Sequence, residues 1–185
     1  MHQPPDEGVQ ASDVAASAAP QGAEVAVTQA ERTTILWLTN VSHAVNHFQN
    51  GMLSVLYLPI MQELGFGYIQ LGVLQAIRST LNSVAQGLYG FLTPFFRRTR
   101  ILAFGNILLG VGVLLSGFAF SFWSFVGARV FAATGSSAQH PVGASLLSGY
   151  YPEKRGTILA LNTSIASVGS FFAPLVAGFM LFYMG

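Results

Sequence analysis

The chain has 185 residues, 52% of them hydrophobic and only 8% charged, with a mean hydropathy of +0.54. A soluble domain is about 25% charged, so this composition predicts an all-α, polytopic membrane protein. The absence of cysteine excludes disulfides and thiol chemistry, and a net charge of +1 with no basic patch excludes a nucleic-acid partner.

Residues 1–32 are rich in Ala, Gln, Ser and Pro and carry acidic residues from Asp6 to Glu31. Such a segment cannot bury enough apolar surface to order itself and reads as a disordered cytoplasmic tail. It lacks the basic start and apolar run of a cleaved leader, so the first apolar helix is expected to act as the insertion signal. Residues 33–185 then read as five transmembrane helices near 34–61, 70–93, 101–120, 122–148 and 157–183, each able to cross a bilayer needing about 20 residues. The second connection carries Arg97, Arg98 and Arg100 and the fourth carries Lys154 and Arg155, whereas the first and third carry no Lys or Arg. Basic loops stay inside, which predicts a multi-pass protein of the cell (inner) membrane with a cytoplasmic N-terminus, in contact with lipid.

Polar residues recur at helical spacing on four of the five spans. Helix one carries Asn40, His43, His47, Asn50 and Ser54, and helix two carries Gln75, Arg78, Asn82, Gln86 and Tyr89. Helix four places Arg129, Ser136 and His140 on one face, and helix five offers Thr163, Ser167 and Ser170. Helix three has Asn106 and little else that is polar. Polar side chains in a span face a bundle interior or a wet cavity, so helices one, two, four and five predict cavity walls and helix three a lipid face. The pairs Asn50–Glu63 and His140–Glu153 share one offset, an echo of the inverted repeats of secondary transporters.

These features together resemble the N-terminal part of a major facilitator superfamily transporter. The run Gly90-Phe91-Leu92-Thr93-Pro94-Phe95-Phe96-Arg97-Arg98-Thr99-Arg100 is similar to the family's loop between helices two and three, with Pro94 and Phe95 where an Asp-Arg pair usually stands. The resemblance implies a gating role for Gly90, Arg97, Arg98 and Arg100, and the lost pair weakens its charge relay. Arg129, Ala133 and Gly135 resemble the helix-four signature, and Gly169 to Gly178 resembles the helix-five signature of drug–proton antiporters with Ala173 and Ala177 replacing glycines. His47-Phe48-Gln49-Asn50 and Gln139-His140-Pro141-Val142-Gly143 are most similar to the fosmidomycin-resistance branch, with Gly51 where an Asp usually follows. The family implies a major-facilitator-type helical bundle of about twelve spans, moving a small-molecule solute by alternating access. Five spans are here, so a missing C-terminal half is the expected partner.

Arg78 and Arg129 are the charged residues inside the spans, with no carboxylate beside them. An Arg at mid-bilayer costs about 2.5–3.5 kcal/mol on insertion scales unless solvated or paired. Guanidinium donors suit carboxylates and phosphates, which predicts an anionic substrate held by Arg78, Arg129, Asn50, Asn82, Gln86 and His140. The alternatives are structural: Arg129 bonding backbone carbonyls, and Arg78 pairing with an acid of a missing helix. His43, His47 and His140 are candidates for proton coupling. His43 and His47 also have the i, i+4 spacing of metal ligands, but Ala44 follows His43 and no Cys or intramembrane carboxylate completes a set, so neither metal nor cofactor is expected. Pro141 and Pro174 are expected helix kinks. The competing class is a multi-pass scaffold or assembly subunit without transport activity; neither reading is an enzyme.

Overall fold

A computed structural model describes residues 28–184. The helices are α1 (Gln29–Leu64), α2 (Tyr68–Leu92), α3 (Arg98–Ser116), α4 (Phe122–Ser136), α5 (Ala144–Tyr150) and α6 (Arg155–Met184). A π-helical turn at Gln139–Gly143 joins α4 to α5, and a 3-10 turn at Pro152–Lys154 leads into α6. Among the described residues there is no strand, and the fold is the expected all-α bundle.

Helix boundaries follow local chemistry. The expected tail falls outside the described residues up to position 27, but residues 29–32 are helical, because Thr28 caps α1 by accepting from the Glu31 backbone N–H at 3.2 Å. Thr28 followed three residues later by Glu31 is a capping signature that the apolar pattern alone misses. At its other end α1 stops at Gly65, whose φ of 65° only glycine adopts without strain. The Phe66 N–H then returns to the Met61 carbonyl at 3.0 Å, and the Phe66 ring packs 5.0 Å from Phe122. α3 begins at Arg98, so Arg98 and Arg100 sit in its first turn and not in a loop. Ser121 starts α4 by accepting from the Ser124 N–H at 3.2 Å. The span expected as one helix over 122–148 is broken: Pro141 lacks an N–H, and the backbone widens into the π turn around it. Pro174 lies inside α6, which continues through it.

By length and apolar composition alone, two helical segments could cross a membrane: Arg98–Ser116 and Pro152–Tyr183. α1 and α2 are long enough, with 36 and 25 residues, but their polar stripes lower the mean hydropathy. The fourth span is divided by its π turn, so no unbroken piece is long enough.

Packing divides into two seams, α1 on α6 and α3 on α4, joined mainly through α2 against α4. Small residues let backbones approach in both, as in membrane bundles generally. A Cβ on Gly51 would sit 2.6 Å from the Ala173 Cβ, and one on Gly112 would sit 2.7 Å from the Ala132 Cα. Gly51 therefore belongs to a helix contact, which leaves no room for the acid expected there by resemblance. α3 turns Phe104, Ile107, Val111 and Leu114 outward, as its lipid-facing reading requires. Two larger apolar clusters form most of the core, one around Leu53, Tyr57, Leu74 and Phe125, the other around Ala85, Ile101, Ala138 and Val142, and a smaller third joins Leu147, Tyr151 and Ile158. Along α2 and α4 the stretch between the two larger clusters holds the polar residues. At one end of the bundle Arg32 pairs with Glu153 at 3.1 Å and the Tyr150 hydroxyl donates to Glu31 at 3.2 Å. The start of α1 and the fourth connection thus share a side, as alternating spans demand.

Candidate functional site

Between the two larger apolar clusters lies a cavity of about 460 Å³ walled by α1, α2 and the fourth span. α1 contributes Asn46, His47 and Asn50, and α2 contributes Gln75, Arg78, Ser79, Asn82 and Ser83. Ala133, Ser136 and His140 close the third wall. Helical spacing brings these residues to one surface on each element, and the break at Pro141 turns His140 outward, where it is exposed.

One hydrogen-bonded chain crosses all three walls. Ser136 Oγ donates to Asn46 Oδ1 at 2.8 Å, and Asn46 Nδ2 donates to the Ser136 carbonyl at 3.2 Å. Asn50 Nδ2 donates to Asn46 Oδ1 and to the Asn46 carbonyl, both at 3.0 Å. The Asn50 Oδ1 then accepts from Arg78 Nη2 at 2.8 Å. The other terminal nitrogen of Arg78 donates to Gln75 Oε1 at 2.8 Å and to the Tyr57 hydroxyl at 3.1 Å. Every acceptor on Arg78 is neutral, and among the described residues no carboxylate lines the cavity, so the guanidinium charge is oriented without being neutralised there. A charge-assisted hydrogen bond is roughly twice as strong as a neutral one, so these contacts fix the side chain firmly.

Asn46 and Tyr57 are missing from the sequence reading. Asn46 lies within the helix-one stripe, three residues after His43, and Tyr57 extends it by one turn, three residues after Ser54. Gln86 donates to Asn82 through a short contact and does not line the cavity.

Arg129 is placed apart from Arg78. It is 1% exposed and faces a second cavity of about 310 Å³, mostly apolar, between α1, α3 and α4. Its one hydrogen bond runs to Gln49 Oε1 at 3.4 Å, and its Nε has no partner. The two arginines, expected at one substrate site, therefore occupy different environments.

The three histidines come together. The His43 ring centroid lies 4.8 Å from that of His47 and 5.3 Å from that of His140, and the last two are 6.0 Å apart. His43 Nδ1 donates to Asn162 Oδ1 at 2.8 Å, and Asn162 Nδ2 donates on to Asn40 Oδ1 at 2.8 Å. His47 Nδ1 lies 3.2 Å from Ser170 Oγ. α6 thus holds the α1 histidines from behind, while Thr163 and Ser167 bond their own helix backbone.

The basic connection sits elsewhere. Arg97 and Arg98 border a shallow cavity of about 300 Å³ with Tyr150, and Arg98 donates to the Ser145 carbonyl at 3.5 Å. Arg100 is exposed, and Gly90 lies in the last turn of α2, where its carbonyl accepts from the hydroxyl of the C-cap Thr93 at 2.7 Å.

A family model described as Major Facilitator Superfamily matches residues 39–185. The chain is 27% identical over 157 residues to the uncharacterized MFS-type transporter YwoD of Bacillus subtilis (strain 168), covering 84% of this chain and 35% of that protein. It is 24% identical over 161 residues to the fosmidomycin resistance protein of Escherichia coli (strain K12), covering 86% and 40%. A probable efflux pump, mfs2 of Aspergillus flavus, is 34% identical over 95 residues, which is 51% of this chain and 22% of that one. The chain therefore spans well under half the length of the relatives it matches.

Proposed function

The chain belongs to the major facilitator superfamily, and from that premise we propose that it forms the first five spans of a secondary active transporter for a small anionic solute. The transporter is a multi-pass membrane protein that works by alternating access. Residues 33–185 are the membrane part of its N-terminal half, with the N-terminus and the Arg97–Arg100 connection in the cytoplasm, and a C-terminal half completes the cavity. The observation that carries this reading is Arg78: a guanidinium held in a half-open cavity by Asn50, Gln75 and Tyr57, with no carboxylate beside it. An anion entering the cavity supplies the missing charge, and Asn50, Asn82 and His140 stand ready to orient it. Arg129 and Gln86 lie off this cavity and support the helices that form it.

The relative named for fosmidomycin resistance makes a phosphonate the first solute to try and export the direction to try it in. His47 and His140 line the same cavity, with His43 behind them, and are the groups we assign to proton exchange. The complete gene product, expressed in cells lacking their own efflux of the compound, is expected to lower phosphonate accumulation. Arg78→Ala should abolish that effect at unchanged expression, and Arg78→Lys should restore part of it. Unchanged efflux of phosphonates, phosphate esters and carboxylates by Arg78→Ala would overturn the assignment. Wild-type pH-gradient dependence in a His47→Gln, His140→Gln variant would remove the histidines from the coupling role.

A further inference from the structure

We propose that His43, His47 and His140 form a binding site for a divalent first-row transition-metal cation of the Zn²⁺ or Co²⁺ class. The i, i+4 pair on α1 is two-thirds of a ligand set, and the fold supplies the third imidazole from the π turn of the fourth span. One ring nitrogen from each residue can be chosen so that the three lie within 4.8 Å of one another. Tetrahedral coordination at Zn–N distances of about 2.0–2.1 Å needs nitrogens about 3.3 Å apart. His140 is exposed and His47 half-buried, so a small rotation of these two side chains about a fixed His43 closes the difference.

Two further observations point to a ligand. His43 is 5% exposed, and its Nε2 has no hydrogen-bond partner. Because Nδ1 donates to Asn162 Oδ1, Nε2 carries the lone pair, an orphaned buried acceptor of the kind that costs about 1–3 kcal/mol if left unmet. The second observation is the backing. Metal-ligating histidines characteristically give their other ring N–H to a fixed acceptor, which sets the tautomer and the ring angle. Asn162 does this for His43 and is itself oriented by Asn40, and Ser170 Oγ lies within hydrogen-bond distance of His47 Nδ1. Three neutral imidazoles leave the ion its full charge. His47 and His140 both line the 460 Å³ cavity, so the fourth coordination position opens there to water, hydroxide or an anion. Arg78, across that cavity, favours the anion.

The inference does not depend on anion transport, because binding is measured without flux; an ion held here takes the three imidazoles out of proton exchange, so the two roles are alternatives for these histidines. The tag-free 185-residue chain is purified in detergent, treated with chelator and titrated with Co²⁺ alone. The expected result is one equivalent bound with the intense visible absorption of tetrahedral cobalt, displaced by one equivalent of Zn²⁺. His2, the only other histidine, is removed by His2→Gln with no expected effect. His140→Gln, at an exposed position, should abolish the band while helicity and elution volume stay unchanged. Asn162→Ala should retain the stoichiometry but weaken binding by about 10- to 100-fold through loss of the hydrogen bond that fixes the His43 ring. Failure of the folded wild-type chain to take up Co²⁺, or a cobalt spectrum unaltered by His140→Gln, overturns the site. Neither outcome bears on Arg78 and anion transport.

Discussion

The surroundings of Arg78 and Arg129 are two answers to one problem, a guanidinium inside a membrane that forms no ion pair among the described residues, although Glu63 lines the Arg129 cavity. Arg78 lies in an open cavity and spends both terminal nitrogens on Asn50, Gln75 and Tyr57 from two helices. Arg129 is enclosed by an apolar cavity, with a single hydrogen bond at 3.4 Å. The first arrangement orients a charge and leaves space in front of it, which is what recognition of an anion needs. The second surrounds the charge with side-chain contacts, so its long aliphatic stem matters as much as its head. Being charged within a span is therefore a poor guide to role. What separates the two is the polarity of the cavity beside the guanidinium and the number of neutral acceptors that fix it.

The comparison is broken most completely by destroying the seam that encloses Arg129. Gly135 lies against the backbone of Gly105 and Leu108 on α3, where a Cβ has no space. Gly135→Leu should drive α3 off α4 and leave little folded protein by size-exclusion chromatography, whereas Gly72→Leu, with nothing within 4 Å, should express normally. Next in size is Arg78→Ala. Loss of a charged hydrogen bond costs about 1.5–3 kcal/mol, so anion affinity should fall roughly ten- to a hundredfold with little change in thermal midpoint. Arg78→Met should do the same, since volume without charge cannot replace it. Arg129 should behave in the opposite way. Arg129→Ala opens a void in a buried site and should lower the midpoint by several degrees, consistent with roughly 2 kcal/mol or more for a large-to-small change. Arg129→Met keeps the stem and removes an unpaired buried charge, and should be at least as stable as the parent. Equal stability loss in Arg129→Ala and Arg129→Met would show that the charge, not the stem, holds that position.

The membrane class, the all-α bundle and three walls of the cavity were legible because polar residues in a span are costly and helical period assigns them to a face, whereas the expected fifth-helix wall lies outside the cavity lining. Asn50, Asn82, His47 and His140 meet at one cavity for that reason. The separation of Arg78 from Arg129 was not legible, since period gives a face within a helix but not which neighbour that face meets. The start of α1 was missed for a different cause: Thr28 and Glu31 act through backbone capping, which hydropathy does not see. His140 was a candidate from the sequence, but its contact with His43 was not legible, because it arises from the crossing of α1 with the fourth span and the widened turn at Pro141, neither of which has a sequence period.

A third arginine gives the smallest and most diagnostic contrast. Arg32 does have a carboxylate, Glu153 at 3.1 Å, but both side chains are solvent-accessible at 32% and 50%. An exposed pair contributes about 0–1 kcal/mol and is screened by salt, so Arg32→Gln and Glu153→Gln should each move the midpoint by about a degree. A double-mutant cycle should give a coupling energy of at most about 1 kcal/mol, smaller still in 1 M salt, where the screening length shrinks to about 3 Å. Arg78 has no such partner and is half-buried, so its binding of an anion should be screened less than an exposed pair. Raising the salt should therefore erase the Arg32–Glu153 coupling while the Arg78→Ala defect in anion binding persists, provided the salt anion does not itself compete. Parallel loss of both effects would place Arg78 in bulk-like water and remove the reason for treating its cavity as a binding site.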